Sequence, residues 1–469
     1  MAAPETVDVI VLGAGPAGEN AAQYAVEGTD LTALLVEGEL LGGECSYYAC
    51  MPSKALLRPI EVAATAAHLP GVSTPELERD ALLARRDDWV SHYDDSGQAS
   101  WAADAGLEVV RGHGRLSGDR EVTVETAGGP RVVRARHAVV LATGSEPVIP
   151  EQYSAALPWG SRDATGVVEV PDRLVIVGGG VVACEAAVWM AALGSQVTLL
   201  VRDDRLLARV EPFAADLVRR GLEAQGVDVR LGVEIASCER ASPSDTGLGR
   251  VHGGPVTVGT SDGDMVADEI LVAVGRRPRL GDIGLDAVGL TVDDVRAGDV
   301  PDWLWLVGDA SGEAPLTHWG KYRARVLGPQ IAARAAGRPE PQPPEDVPVP
   351  QVVFTDPQVG AVGLTEEEAR SAYDDVVVAE VPWTGAAGAA LLRDDALGGA
   401  KLVVDRGSGR VVGATFVGPE AGEQVHAATI AITGRVPVWL LRHAVPSYPT
   451  ASELWLRLLE ALPAELRTP

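Results

Sequence analysis

The sequence predicts an α/β fold in which two βαβ units precede a smaller antiparallel α+β region. Three observations carry that prediction. "VDVIVLGAGPAGENAAQYA" (7–25) reads as apolar strand, glycine turn and helix, and "DRLVIVGGGVVACEAAVWMAALG" (172–194) repeats the order. Each is followed by a second apolar strand, "LTALLVE" (31–37) and "QVTLLVR" (196–202). After the Pro-rich stretch "GRPEPQPPEDVPVPQ" (337–351) come "QVVFT", "AKLVVD" and "RVVGATFVG" as strands, with helices expected at 419–433 and 451–461. Two βαβ units in one chain point to two nucleotide-binding domains of Rossmann type. The Pro-rich stretch is the linker to a third region.

The remaining elements fill in between. Residues 55–105 are rich in Ala and charge and read as helices. "EVVRGHGRL" and "HAVVLATGSEP" read as strands with glycine punctuation, "DEILVAVGRRPR" closes the second unit, and "WLWLVGDA" (303–310) is a further strand ending in Gly-Asp. The length of 469 residues suits about three domains of roughly 150 each. Hydrophobic residues make up 46%, enough for a buried core, and the 53 Gly and 32 Pro mark a turn-rich, ordered chain.

The formal net charge is −27 and the pI about 4.7, with no basic stripe. That balance repels nucleic acid and anionic membrane surfaces and favours solubility. No signal-peptide pattern opens the chain and no apolar run is long enough to span a bilayer, so a cytoplasmic protein without membrane insertion is expected.

Gly13, Gly15 and Gly18 form G-x-G-x-x-G directly after a strand. Such glycines permit the tight turn and let a pyrophosphate approach the backbone at the helix N-terminus. Glu37 ends the second strand where an acid binds a ribose 2′-hydroxyl. In the second unit Gly178 and Gly180 recur, with Ala183 in the third place. Its second strand ends in Val201 and Arg202 rather than an acid. An Arg there suits a 2′-phosphate, so NADPH is the expected donor and NADH the second choice; Asp203 and Asp204 weigh against the Arg.

The cysteines are Cys45, Cys50, Cys184 and Cys238. Cys184 reads as a small buried hydrophobe. Cys45 and Cys50 stand in "GGECSYYACMPSK" (42–54) at a loop-to-helix entry, where a helix dipole lowers a thiol pKa. A metal site would need further Cys or His at ligand spacing, and no such cluster is present. A structural disulfide is poorly motivated in a reducing compartment. A redox disulfide beside a flavin accounts for the pair best.

"GGECSYYACMPSK" resembles the redox-active signature GGTCxNxGCxPSK of the class I pyridine nucleotide–disulfide oxidoreductases, the family of dihydrolipoamide dehydrogenase, glutathione reductase and mercuric reductase. "LATGSEP" (141–147), "AVGRRP" (273–278), "LVGDA" (306–310) and "VVFTDPQVGAVGLTEEEA" (352–369) resemble family motifs in the family's order, so the resemblance spans nearly the whole chain. It implies a homodimer with an FAD-binding domain (1–149), an NAD(P)-binding domain (150–275), a central domain completing the FAD site (276–346) and an interface domain (347–469). It implies that Glu37 meets the adenosine ribose, Asp309 the ribityl chain, and Lys54, paired with Glu185, the flavin N5 region. Cys50 would be the flavin-facing thiol and Cys45 the interchange thiol. Gly43, His113, Thr143, Gly144, Gly275 and Thr317 fall by the same resemblance among the cofactor-contacting residues. In the "PLTHWGK" segment the main chain is expected to matter more than the His318 imidazole.

The chain also departs from the family pattern. The family carries H-P-T-x-x-E, whose His serves as acid–base across the dimer interface. Here the stretch is "SYPTASE" (447–453), with Tyr448 in the His position and Glu453 retained. A phenol titrates near 10 and is a poor proton shuttle at neutral pH, though it can donate a hydrogen bond. His443 lies nearby as an alternative. Tyr in that place resembles mercuric reductase, yet the chain ends "AELRTP" without the second Cys pair of that enzyme, so mercury reduction is not expected. In the redox loop Glu44, Tyr47 and Ala49 replace the family's Thr, Asn and Gly. Two roles are open to Tyr47 and Tyr48: lining an aromatic slot, or packing.

The expected activity is electron transfer from NADPH through FAD to the Cys45–Cys50 disulfide and on to a small-molecule disulfide. The alternative is reduction of a quinone-type acceptor directly by the flavin, for which the missing His is no obstacle.

Overall fold

The computed structural model describes residues 4–468, which divide into two compact units. The first comprises Met1–Pro52, Asp87–Val148 and Arg276–Glu345; the second comprises Ser53–Arg86, Ile149–Gly275 and Asp346–Pro469.

The first unit is organised by a seven-stranded sheet. Its central strand Glu5–Leu12 runs parallel to Ala33–Glu37 on one side and to Gly129–Leu141 on the other. Val7 to Leu12 is an unbroken buried run because both faces are covered, as a central parallel strand requires. One face packs on the alanines of helix Pro16–Val26 (Ala21, Ala22, Ala25) and on Leu327 and Ile331 of helix Thr317–Ala335. The other packs on Leu116, Val122 and Val124 of an antiparallel extension and on Trp303. Register decides where the site falls. Leu12 pairs with Val36 and Leu141, and Leu306 pairs with the same Leu141. Four parallel strands therefore end at one level; Gly13, Ala142 and Val307 begin the loops beyond it, and Glu37 is the last residue of its strand. Ligands of open α/β sheets bind at this carboxyl edge.

The second unit repeats the βαβ motif. Strands Arg173–Val177 and Gln196–Leu200 are parallel, joined by helix Val181–Ala192, in a four-stranded sheet. That helix buries every residue from Ala183 to Met190, so it is covered all round rather than on one stripe, with Glu185 as its one charged residue. A three-stranded antiparallel sheet (Ile235–Arg240, Val256–Thr260, Gly263–Ala267) was not foreseen from the sequence. Arg240 there is fully buried against Glu269 and also donates to Ala156 O. The C-terminal part is a five-stranded antiparallel sheet from Gln351–Val353 to Arg410–Gly418, covered by helices Ala421–Thr433 and Glu453–Ala461. No helix among the described residues is long and apolar enough to cross a membrane.

Candidate active site

In the first unit the glycine turn sits at the carboxyl edge. Gly13 has φ +100°, and a Cβ there would lie 2.3 Å from Ala142 O, so only glycine fits. Gly15 and Pro16 then open helix Pro16–Val26, leaving its first amides facing outward, with Gly18 buried one turn on. Glu37 accepts from Ala14 N at 2.8 Å and from Glu39 N at 2.8 Å, so its carboxylate is held at the turn. Thr143 donates to Arg279 O, and Gly144 O accepts from Arg279 N, which closes the neighbouring loop. Asp309 accepts a 2.5 Å hydrogen bond from Ser145. His113 lies further out, its imidazole set against Asp282.

The redox loop docks on the same unit. Gly43 sits against Gly15, and the short helix Gly43–Tyr47 carries Glu44 and Cys45. Cys50 begins helix Cys50–Ala67. Cys50 Sγ is 3.3 Å from Thr317 Oγ1, and Thr317 is the first residue of the 19-residue helix Thr317–Ala335. The helix N-terminus and the hydroxyl both favour negative charge on sulfur. Cys45 shares a hydrogen bond with Cys50; that bond and burial push its thiol well above the ordinary range, while Thr317 and Lys321 pull the other way. Sulfur–sulfur proximity, a hydroxyl donor and a helix N-terminus suit a dithiol that shuttles between thiol, thiolate and disulfide.

Tyr47 is 2% exposed and donates to Gln98, so it packs. Burial, more than its acidic neighbours, pushes its phenol up to about 12. Tyr48 differs: it is half-buried and stacks on Tyr93 at 5.4 Å between ring centroids.

The second unit holds the other expected residues. Gly178 has φ +123° and approaches Ala273 O as Gly13 approaches Ala142 O, and Gly180 precedes the helix. Gly275 adopts φ +132° at the end of the loop that follows strand Glu269–Val272. Glu185 is buried and takes Lys54 Nζ at 2.7 Å and Phe354 N at 2.9 Å. Lys54 Nζ also stands 4.7 Å over the Phe354 ring. Arg202 is exposed beside Asp203. Tyr448 is 77% exposed, whereas Glu453 is buried with no partner for Oε2 among the described residues. Cys184 is buried, as a small apolar residue would be, and burial raises its thiol. No group of three or more metal-ligating side chains occurs among the described residues.

Sequence reasoning missed the links between these residues. Arg276 donates to Glu44, to the Ser145 hydroxyl and to the Ser145 carbonyl. The available signal was the acid at 44, where the resembling pattern has Thr, together with the surplus arginines of "AVGRRPR".

Residues 7–321 match the family described as pyridine nucleotide-disulphide oxidoreductase, and residues 349–458 match its dimerisation domain. A dihydrolipoyl dehydrogenase of Thermus scotoductus is 35% identical, covering 98% of each chain. A mercuric reductase of Shigella flexneri is 32% identical over 95% of this chain and 79% of its own. The HOCl-induced flavoprotein disulfide reductase RclA of Escherichia coli, as its Cu(II) complex, superposes with a TM-score of 0.83 at 22% identity, covering 98% of this chain and 100% of that one. LpdA of Mycobacterium tuberculosis gives 0.82 at 23% identity, covering 98% and 100%. The chain belongs to the pyridine nucleotide–disulphide oxidoreductases. It is an FAD enzyme of the NAD(P)H-dependent class and carries that family's dimerisation domain.

Proposed function

We propose that this oxidoreductase takes electrons from NADPH, uses FAD as the relay, and delivers them through Cys45 and Cys50 to a small-molecule disulfide. The observation that carries the reading is the cluster of Cys45, Cys50 and Thr317 at the N-terminus of helix Thr317–Ala335.

The first unit's residues fit FAD. A Cβ at Gly13 or Gly18 would strike backbone, and the helix opened by Gly15 and Pro16 offers its amides to a pyrophosphate. Glu37 is poised for a ribose, and Asp309 for a polyol chain. Bound flavin supplies hydride acceptance and two-electron storage. The chain's own groups do the rest. The Thr317 hydroxyl stabilises thiolate on the pair. Cys45 thiolate attacks one sulfur of the substrate, the substrate S–S bond breaks, and a first product thiolate leaves. Cys50 thiolate then attacks the Cys45 sulfur of the mixed disulfide, expels the second product thiolate and restores the Cys45–Cys50 bond. Glu185 holds Lys54 as a fixed cation. Tyr448, in a homodimer, donates a hydrogen bond rather than relaying a proton. Arg202 selects the 2′-phosphate of NADPH. A cytoplasmic setting, which keeps product thiols reduced, fits this reading.

The test is an anaerobic NADPH titration of the holoenzyme, followed by absorbance, with NADH in parallel. Uptake of about two hydride equivalents per flavin, with a long-wavelength thiolate-to-flavin band, is expected. Bleaching after about one equivalent without that band would remove the pair from the electron path.

The Tyr48–Tyr93 stack favours one second reading, transfer from flavin to a flat quinone-type acceptor. Activity that survives Cys45→Ser would select it.

A further inference from the structure

We propose that Lys321 is a positioning residue for the exchange step: its ammonium is the counter-ion of the Cys45 thiolate, and the Glu19 carboxylate competes for that ammonium. The inference rests on the reading of Cys45 as the exchanging thiol.

Three elements of the first unit meet at this place. Helix Pro16–Val26 carries Glu19 in its first turn, the redox loop carries Gly42 and Cys45, and helix Thr317–Ala335 carries Thr317 and Lys321. The two long helices lie close together: a Cβ at Gly320 would stand 3.3 Å from Ala17 Cβ, and one at Gly328 2.6 Å from Tyr24 Cβ. Glu19 and Lys321 follow the first of these contacts on their own helices. The redox loop is tied to the same corner, with Gly42 N donating to Ala14 O at 2.8 Å. Lys321 stands one turn after Thr317 on the same helix face. Helical side chains lean towards the N-terminus, so the Lys321 stem runs back over the turn of Thr317, whose Oγ1 is 3.3 Å from Cys50 Sγ. Lys321 makes no ion pair and no hydrogen bond among the described residues, so its charge is not committed to one partner.

The electrostatics agree with that placement. The Cys50 hydrogen bond and burial disfavour thiolate on Cys45, and Thr317 and Lys321 favour it. Lys321 acts on Glu19 as well. Burial pushes the Glu19 carboxyl up to about 7; Lys321 and the Gly42 amide pull it down, and Glu37 adds to the rise. Glu19 Oε1 is buried with no hydrogen-bond partner among the described residues, so little besides the ammonium compensates its charge. One cation therefore serves two anions, Cys45 from the redox loop and Glu19 from the neighbouring helix. Below about 7 Glu19 is protonated and Lys321 serves the sulfur alone; above it the carboxylate draws on the same charge. Thiolate is thus favoured from within the first unit, in a chain whose Tyr448 is a poor proton shuttle.

A Lys321 that only packs predicts something else. Its replacement would change the rate at which fully ionised Cys45 reacts, through altered access, and leave the pH midpoint where it was.

The experiment uses the reduced FAD-loaded enzyme. Cys45 alkylation by iodoacetamide is followed by peptide mass spectrometry from pH 5 to 10, with fragment ions separating it from Cys50. The midpoint of the profile, a property of the coupled pair, is the readout. Lys321→Met is expected to raise it by about half a unit, a threefold change in proton affinity, and Lys321→Arg to hold it near wild type. Glu19→Gln is expected to lower it by about 0.3 units, a twofold change, and to have no such effect when Lys321 is already Met. If Lys321→Met does not fold, Lys321→Gln is measured in its place, with the same expectation. An unmoved midpoint in the neutral Lys321 variant overturns the proposal, as does a Lys321→Arg midpoint that rises with it. A Glu19→Gln shift that persists without the ammonium overturns the competition. The readout needs no turnover, so a failure here is distinct from a failure of the disulfide-reduction reading.

Discussion

Replacing Thr317 by Val removes one hydroxyl and leaves a side chain of similar shape. In the native chain that oxygen is 3.3 Å from Cys50 Sγ, and it also favours thiolate on Cys45. A hydrogen bond to an ionised group contributes about 1.5–3 kcal/mol, and the half-buried sulfurs regain part of that from water. A net loss of about 1.4 kcal/mol corresponds to one pH unit. Residue 317 remains the first residue of its helix in the variant, so the backbone amides and dipole are unchanged. The two sulfurs interact, so the quantity that moves is the macroscopic pKa of the pair. The sign is unambiguous: losing a donor to the charged form disfavours it, and thiolate forms at higher pH. The assay is a pH titration of the long-wavelength absorbance of the two-electron-reduced enzyme. Thr317→Val should titrate about one unit higher, and Thr317→Ser close to wild type. A Thr317→Val midpoint within about 0.2 units of wild type refutes the role given to this hydroxyl.

Lys54→Met strands the buried Glu185 carboxylate with Phe354 N as its remaining donor. It should destabilise the enzyme by about 2 kcal/mol in urea, discounted from about 3–5 because Lys54 is one-third exposed. Glu185→Gln should cost less than Lys54→Met, because the ammonium can turn to water while the amide oxygen still accepts from Phe354; the reverse order sinks the argument. Tyr448→His restores an imidazole and should raise exchange with disulfides at pH 7 by about tenfold or more, read as kcat with saturating NADPH. Arg202→Ala should raise KM for NADPH several-fold and leave that for NADH unchanged; equal effects on both mean that Arg202 is only a surface charge. Lys401, buried against Glu211, Glu366 and Glu380, holds the Glu366 carboxyl below the usual range chiefly through its hydrogen bond. The folded-state value is depressed, so this stabilisation is present above the unfolded carboxylate range near 4.3 and is lost as pH falls through the folded value. Lys401→Met should therefore flatten the fall in urea midpoint between pH 5 and 3.

The repeated strand–glycine–helix pattern was legible because it is local. Buried parallel strands must be largely apolar, and a turn pressed against Ala142 O or Ala273 O admits only glycine. The Cys pair and Lys54 were legible for the same reason, since their spacing lies within one loop and one helix. The antiparallel sheet of 235–267 was not, because its buried positions are interrupted by glycines and by Arg240, which is buried only because Glu269 meets it from another strand. Tyr47 and Tyr48 were equivalent in the sequence. The fold separated them, burying Tyr47 on Gln98 and stacking Tyr48 on Tyr93.

The sequence by itself determined the two nucleotide units, the redox pair, the acids at 37, 185 and 309, and the Tyr at 448. These are choices of residue type that chemistry or backbone geometry demands at one place. Only the tertiary structure decided which partners those residues meet. Glu44 and Arg276 are 232 positions apart, Cys50 and Thr317 are 267, and both contacts exist because parallel strands end at a common level and bring their loops together. Charge balance and thiol acidity depend on distance in space, and strand register, not sequence spacing, sets that distance.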